Sequence, residues 1–336
     1  MQIEPQATPF AKRYARGEAQ VVWTTLVSDL ETPVSAFLKV AGARPMSFLL
    51  ESVEGGAVRG RYSIIGLDPD LVWRTVAGLA EINRTVRHKP DGFAPCNEAP
   101  LAALRALIAE SRIELPDVLP PMAAGVFGYL GYDMVRLMEE LPQSNPDPIG
   151  IPDAVLVRPT IVVVFDAVKD TITVVTPVRP QNSIAADTAF ARARERLSAI
   201  IDALDAPLAH SPPTVQAGPL TVWPSSNTTP AEYERMVKVA KEYIAAGDIF
   251  QVVLSQRFEA PFELPPFALY RALRRVNPAP FLYFLDFGSF SIVGSSPEIL
   301  GPGARGHRDH PAACGHPAAR RDAATGQGAR NRTAGG

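Results

Sequence analysis

The chain has 336 residues, of which 46% are hydrophobic and 20% are charged, and its formal net charge is −2. This length and composition predict a globular protein of two domains or one large domain, and the acidic first 300 residues give no reason to expect a nucleic-acid partner. Two cysteines cannot build a disulfide framework, and no stretch is apolar enough for a signal peptide or a membrane helix, so we expect a cytoplasmic protein without a membrane segment.

Residues 1–178 predict a first domain of short strands and a few helices. Thr32 and Pro33 have the pattern of a helix start, and Gly42 is placed to end that helix. Apolar runs between turn signals predict strands at residues 48–50, 62–67 and 71–76, and residues 101–108 predict a helix. Residues 159–178 contain two β-branched runs around Lys169 and Asp170, which predicts a hairpin.

Residues 179–228 predict a helix, at 185–204, followed by a linker at 206–220 that is rich in Pro, Gly and Ser. A second domain is predicted to begin at residue 229, where Thr229 and Glu232 form a capping-box pattern around Pro230 and Gly247 supplies the helix stop. A strand at 249–258, a helix at 266–276 and a hairpin of residues 281–286 and 289–295 follow. Strands and helices mix without regular alternation, which predicts an α+β fold with largely antiparallel sheets.

Two short glycine motifs have structural interpretations that outweigh the functional ones. Asp286-Phe287-Gly288 matches the magnesium motif of protein kinases, but no glycine-rich loop or catalytic loop accompanies it, so a hairpin turn is favoured. Residues 125–133, GVFGYLGYD, match neither the dinucleotide fingerprint nor the phosphate-binding loop. Close packing of strands is the favoured use of these glycines.

The last 36 residues differ from the rest of the chain. Residues 301–336 contain no Val, Leu, Ile, Met or aromatic residue and carry a net charge of +4. His307, His310, Cys314 and His316 have a spacing that could hold zinc, but no apolar residues surround them to order the ligands. We therefore predict no metal site here, and no nucleic-acid arm, because the segment has no aromatic side chains to stack on bases.

Three stretches occur in a fixed order along the chain: FLLESVEGGAVRGRYSIIGLDP at residues 48–69, GYLGYDMVR at 128–136, and residues 247–298 with GDIFQVVLSQRF and NPAPFLYFLDFGSFSIVGSSPE. Together they resemble the large subunit of anthranilate synthase, a chorismate-utilising enzyme, over residues 19–300. The resemblance implies an α+β fold of two subdomains with antiparallel sheets packed against helices. It also implies the amination of chorismate and loss of pyruvate to give anthranilate, with Mg²⁺ held by glutamates. A glutamine amidotransferase subunit would supply ammonia, and L-tryptophan would inhibit from a separate site.

The resemblance also implies a tryptophan site in this chain. The family's LLES motif stands at residues 49–52, and Ser52 takes the position whose hydroxyl contacts tryptophan. The family's NPSPYMF segment stands at residues 277–283, so Pro280, Phe281 and Leu282 match its tryptophan-contacting residues. Phe for Tyr removes a hydroxyl, and Leu for Met keeps the apolar volume. The alternative for these four residues is ordinary core packing.

Two other functions stay open. Aminodeoxychorismate synthase of folate synthesis has the same fold, although the intact LLES followed by GRYSIIGLDP favours anthranilate synthase. A non-catalytic module that keeps only the regulatory half and the amidotransferase-facing surface is the other alternative.

The family pattern stops after residue 300, where a strand and a chorismate-contacting Arg-Pro-(Ile/Leu)-Ala-Gly-Thr-Arg motif should follow. Back-translation of residues 305–311, shifted by one base, yields Thr or Ile codons at three positions. The same shift over residues 311–318 permits Arg-Pro-Leu-Ala-Gly-Thr-Arg. We infer that residues 301–336 are an out-of-frame, disordered tail.

This inference has consequences for the function of the chain. The family's magnesium glutamates and catalytic residues lie beyond residue 300, so no catalytic, cofactor-binding or metal residue can be assigned, and this chain is expected to be inactive. The second domain is expected to be incomplete, with its strands 281–286 and 289–295 presenting unpaired edges to water.

Overall fold

The computed structural model describes residues 2–42, 44–54, 58–142, 146–208 and 223–298. The predicted tail and most of the predicted linker lie outside the described residues. The helices are α1 (Ala7–Ala15), α2 (Pro33–Val40), α3 (Pro100–Ser111), α4 (Ala186–Asp205), α5 (Pro230–Ala246) and α6 (Pro266–Val276), with 3-10 helices at Pro121–Ala123 and Tyr132–Leu137. The strands are β1 (Gln20–Val27), β2 (Ser47–Glu54), β3 (Val58–Val76), β4 (Leu79–Asn83), β5 (Ala94–Pro95), β6 (Phe127–Leu130), β7 (Ala154–Asp166), β8 (Thr171–Val178), β9 (Ser225–Ser226), β10 (Phe258–Glu259), β11 (Phe281–Asp286) and β12 (Ser291–Ser296).

Ten of the twelve strands in the described part of the chain form a single sheet. Its main path is β1-β8-β7-β3-β2-β11-β12, and β4, β5 and β6 extend it beside β3 and β7. Every pairing is antiparallel. The α+β class and the hairpin around Lys169 and Asp170 are therefore confirmed.

Both faces of this sheet are covered. All thirteen residues of β7 are buried, as expected for a strand at the centre of a sheet with two covered faces. One face packs against α1, α2, α4 and α6, which contribute Phe10, Phe37, Leu197 and Tyr270 to a shared core. The other face is covered by loops around the first 3-10 helix, and α3 packs over β3, β4 and β7.

The pairing of β3 with β7 is irregular where two prolines face each other. Pro69 of β3 lies opposite Pro159 of β7, and the register shifts between Pro69 and Leu71. Neither proline has an N–H to donate to the ladder, so the irregularity falls where both strands lack a donor. Residues 62–67 of β3 pair with β7 before the shift, and residues 71–75 pair with it afterwards, which merges the two strands predicted here into one.

The glycine motif at residues 125–133 does serve close packing. A Cβ on Gly128 would lie 1.9 Å from the carbonyl oxygen of Val155, and one on Gly131 would lie 2.7 Å from that of Asp153. The Asp286-Phe287-Gly288 motif forms the turn between β11 and β12, where the Gly288 N–H donates to Asp286 Oδ1 at 2.8 Å. Both structural interpretations are confirmed.

The hairpin of β11 and β12 is an integral part of the sheet. β11 pairs with β12 along one edge and with β2 along the other, from Phe281 opposite Ser52 to Asp286 opposite Ser47. The expectation that β11 presents an unpaired edge is therefore wrong. The reason is that β2, which lies in the first predicted domain, provides the missing partner strand.

The predicted strand at residues 249–258 is also wrong. Only Phe258 and Glu259 are extended and paired, as β10, and their partner is the two-residue strand β9. A β-branched sequence becomes a strand only where a neighbouring strand accepts its backbone hydrogen bonds. Among the described residues, this segment has no partner strand longer than the two residues of β9. The preceding helix α5 is confirmed with its capping box at Thr229 and left-handed Gly247, but only Ala240 of that helix is buried.

We predict that Gly128→Ala destabilises the protein by about 2–3 kcal/mol more than Gly125→Ala, because the new Cβ would press on the β7 backbone. The two glycines have similar φ values, 152° and 146°, but a Cβ on Gly125 would meet nothing within 4 Å. Urea unfolding followed by circular dichroism measures the difference. Equal losses in the two variants would mean that backbone strain, rather than close packing, determines the cost.

Candidate functional site

The paired strands β2 and β11 hold three of the four predicted tryptophan-site residues. Ser52 lies directly opposite Phe281, and Glu51 lies directly opposite Leu282. Directly opposed residues of an antiparallel pair share a face of the sheet, whereas neighbours along a strand point to opposite faces. Ser52 and Phe281 therefore lie together on one face, with Pro280 immediately before β11.

Leu282 belongs to the opposite face from Ser52. It is only 2% exposed and packs in the core beneath the helices, with Phe284 and Tyr270. For Leu282 the structure thus matches the alternative of core packing. The structure brings Ser52 and Phe281 together and does not bring Leu282 to the same face.

The hydroxyl of Ser52 is held in place by its neighbours. It donates a hydrogen bond to the carbonyl oxygen of Tyr62 at 2.9 Å. Gly60 lies so close that a Cβ there would be 2.2 Å from Ser52 Oγ. Because a hydroxyl that donates its proton still has two lone pairs, Ser52 Oγ remains able to accept a hydrogen bond.

A buried charged cluster lies beside Ser52, and sequence reasoning did not identify it. Glu51 is 5% exposed, and its carboxylate accepts two hydrogen bonds from Arg274 of α6, at 2.7 and 3.0 Å. The hydroxyl of the fully buried Tyr270, also on α6, donates to the same carboxylate. These contacts attach α6 to the sheet at the Ser52 end of β2.

The surroundings shift the pKa values of both α6 side chains. Burial raises the pKa of Tyr270 well above its usual range, and the adjacent Glu51 charge adds to the effect, so the phenol stays protonated as a donor. Burial acts to lower the pKa of Arg274, but its hydrogen bonds and charge attraction to Glu51 outweigh burial and raise it. Arg274 is therefore cationic at neutral pH.

Ser52, Glu51 and Arg274 line one edge of a small cleft. Its other polar walls include Glu31, Ser63, Asp170 and the bidentate pair of Arg61 with Asp166, whose shortest contact is 3.0 Å. Burial acts to raise the pKa of Asp166, but hydrogen bonds from Arg61 and from the N–H groups of Val168 and Lys169 outweigh it and hold the pKa low. A cleft that contains both carboxylates and guanidinium groups suits a zwitterionic ligand, which carries one positive and one negative group.

The cleft is narrow as it stands. Its volume of about 110 Å³ is below the roughly 150 Å³ of an apolar cavity that holds benzene. A ligand with a fused aromatic ring would have to leave part of itself outside or displace side chains. Sequence reasoning could have found Glu51, because an acidic residue two positions after Leu49 points to the same buried face of the strand.

The described residues do not provide a site for the expected Mg²⁺. Among them, no three His, Cys, Asp or Glu side chains come together as a group that could hold a metal ion. Mg²⁺ needs oxygen ligands in near-octahedral geometry, and in the cleft Glu51 and Asp166 are engaged by Arg274 and Arg61 instead. No helix of the described part is long and apolar enough to cross a membrane.

We predict that Glu51→Gln destabilises the protein by about 3 kcal/mol, because the mutation leaves the Arg274 charge partly buried without a counter-charge. The matched control is Glu81→Gln, which breaks the more exposed pair with Arg74, 2.7 Å apart, and should cost about 1 kcal/mol or less. Urea unfolding of the two variants measures both costs. Similar small losses would show that the Glu51 cluster does not hold α6 on the sheet.

Comparisons with known proteins agree with this fold. A family model described as a chorismate binding enzyme matches residues 64–301. Anthranilate synthase component 1 of Cereibacter sphaeroides is 51% identical over 298 residues, which cover 87% of this chain and 58% of that protein. The same component of Thermus thermophilus is 41% identical over 276 residues, covering 82% and 55%.

A solved structure gives the same result. The crystal structure of anthranilate synthase component I from Streptococcus pneumoniae TIGR4 matches with a TM-score of 0.56 and 28% identity, over 81% of this chain and 57% of that one. The chain thus spans a little over half the length of these relatives. Because one family model covers more than two thirds of its residues, the chain belongs to the chorismate binding enzymes, as its motifs led us to expect.

Proposed function

We propose that the chain derives from the large subunit of an anthranilate synthase, which converts chorismate and ammonia to anthranilate and pyruvate. The observation that carries this proposal is the 51% identity to a protein named anthranilate synthase component 1, over 87% of the chain. The same name recurs among more distant relatives, which favours this activity over aminodeoxychorismate synthesis. The word "component" in that name is consistent with a partner, which we propose to be a glutamine amidotransferase subunit in the cytoplasm.

We further propose that this chain contains the regulatory part of that enzyme, at residues 1–178, and only the start of its chorismate-binding part, from residue 229. The family match ends at residue 301, and the last large apolar side chain of the sequence is that of Leu300. This coincidence supports a change of reading frame near the Leu300 codon. Mg²⁺ remains part of the proposal for the whole enzyme, where it would neutralise the carboxylates of chorismate, but no residue described here is assigned to it.

The regulatory proposal rests on the strand pair β2 and β11. Ser52 and Phe281 lie opposite each other, and the adjacent cleft offers carboxylates and arginines that could bind the ammonium and carboxylate of an amino acid. Phe281 lies across from Ser52 on the neighbouring strand, outside the lining of the cleft. We therefore keep Ser52, Pro280 and Phe281 as the proposed contacts of L-tryptophan, and assign Leu282 to supporting them from the core.

We predict that Ser52→Ala weakens tryptophan inhibition roughly tenfold in a protein whose reading frame is restored after Leu300. Losing a hydroxyl that pairs with a buried ligand group typically has an effect of this size. The matched control is Ser47→Ala on the same strand, which loses a similar 2.9 Å bond to a backbone carbonyl but lies outside the cleft. Inhibition constants for L-tryptophan test the proposal, and an unchanged constant in Ser52→Ala would refute the role of Ser52.

We also predict that the 336-residue chain makes no anthranilate, even when ammonia is supplied directly. Chorismate is a dianion, and its conversion needs a cation and placed proton donors where charge develops. Among the described residues, no group of His, Cys, Asp or Glu side chains could hold a metal ion as that cation. Anthranilate fluorescence from chorismate, magnesium and ammonium measures the rate, with the frame-restored protein as positive control. A rate within roughly tenfold of that control would contradict the assignment of this chain to the regulatory part.

A further inference from the structure

A second cavity, unrelated to the Ser52 cleft, lies between α4 and the adjoining ends of β7 and β8. Its volume is about 520 Å³, and it shares no lining residue with the Ser52 cleft. The charged residues that line it are four arginines, Arg87, Arg179, Arg192 and Arg196, and two carboxylates, Asp70 and Glu195. The lining therefore carries a net charge of +2, inside a chain whose overall charge is negative.

The carboxylate of Asp70 already has a counter-charge, Arg158, which does not line the cavity. Arg158, which is 6% exposed, binds both oxygens of Asp70, at 2.7 and 3.2 Å. Arg179 comes no closer to Asp70 than 4.0 Å. Only Glu195, an exposed residue of α4, remains to balance the positive charge of the four arginines.

Two guanidinium nitrogen atoms in the cavity have no hydrogen-bond acceptor, although other nitrogens of Arg87 and Arg179 do. The Nε atoms of Arg179 and Arg196 are buried, and neither has a hydrogen-bond partner in the described part of the chain. Within that part, Arg192 and Arg196 also form no ion pair. A buried N–H without an acceptor destabilises a protein unless a water molecule or a ligand supplies one.

The positive charges of Arg179 and Arg196 are also unfavourable in the cavity without a bound anion. Burial lowers the pKa of Arg179 to about 10, and the nearby Arg158 charge contributes in the same direction. Burial and the positive charge of Arg87 lower the pKa of Arg196. Both shifts mean that the surroundings disfavour the cationic forms, which an anion in the cavity would correct.

One wall of the cavity is already ordered. Arg87 donates to the carbonyl oxygens of Asp68 and Pro69, at 2.6 and 3.2 Å, and to the hydroxyl of Thr160. Its guanidinium group is therefore fixed in orientation before any ligand arrives. Ordered polar groups of this kind reduce the entropy that binding costs.

We propose that this cavity binds a small oxyanionic metabolite through a phosphate group. All four cationic side chains are arginines, whose planar forks match the oxygens of a phosphate in a way that the point charge of lysine does not. The volume lies within the roughly 300–1,000 Å³ of small-molecule sites, so there is room for more than the phosphate itself. The site would be distinct from the proposed tryptophan contacts.

The test is calorimetric titration of the 336-residue chain with inorganic phosphate, at an ionic strength held constant with chloride. We expect saturable binding that Arg196→Gln weakens at least roughly tenfold, because the variant loses a charged hydrogen-bond donor. The matched control is Arg194→Gln, which removes the same charge from an exposed position on the same helix, outside the cavity, and should bind as the wild type does.

Circular dichroism checks that the variants remain folded, and Arg192→Gln replaces Arg196→Gln in the comparison if the latter is unfolded. Titration with succinate separates a phosphate site from a carboxylate site, and we expect weaker binding of succinate. The proposal is overturned if the wild type shows no saturable phosphate binding, if Arg194→Gln weakens binding as much as the cavity variant, or if succinate binds as tightly as phosphate.

Discussion

The ion pair between Glu51 and Arg274 is the contact on which the arrangement of the two halves of the chain depends. It joins a strand from the beginning of the chain to a helix near its end, and Tyr270 reinforces it with a third hydrogen bond. A carboxylate that is 5% exposed needs such partners, because an unpaired buried charge would be far more costly than the pair. The pairing of β2 with β11 joins the same early and late parts of the chain, so the ion pair and the strand pairing stabilise the same arrangement.

The position of that ion pair also explains why Ser52 is well ordered. Glu51 points towards the helices and is held by α6, which fixes the strand and turns the next residue to the opposite face. There, Ser52 contacts the backbone of Tyr62 and stands opposite Phe281. A ligand bound at Ser52 would contact a strand pair whose opposite face is bonded to α6. A shift of that strand pair on binding would therefore also move α6.

The sequence was sufficient to predict those structural features that depend only on residues close together along the chain. The N-cap at Thr32, the capping box at Thr229, the hairpin at Asp170 and the turn at Gly288 all depend on bonds within a few residues. The strand predicted at residues 249–258 failed because a strand depends on a partner that local sequence does not specify. The pairing of β2 with β11 could not be predicted for the same reason, and without its register the motif match could not show that Leu282 and Ser52 occupy opposite faces.

The pairing of β2 with β11 joins residues that are far apart in sequence, and this has a consequence for synthesis on the ribosome. Some 230 residues separate Ser52 from Phe281, so at about 5–20 residues per second the edge of β2 waits roughly 12–46 s for its partner. During that time Phe48, Leu49 and Leu50 form an apolar strand with an open hydrogen-bonding edge, which is the kind of segment that nascent chains associate through. The nascent chain would therefore be most exposed to misassembly before α6 and β11 emerge.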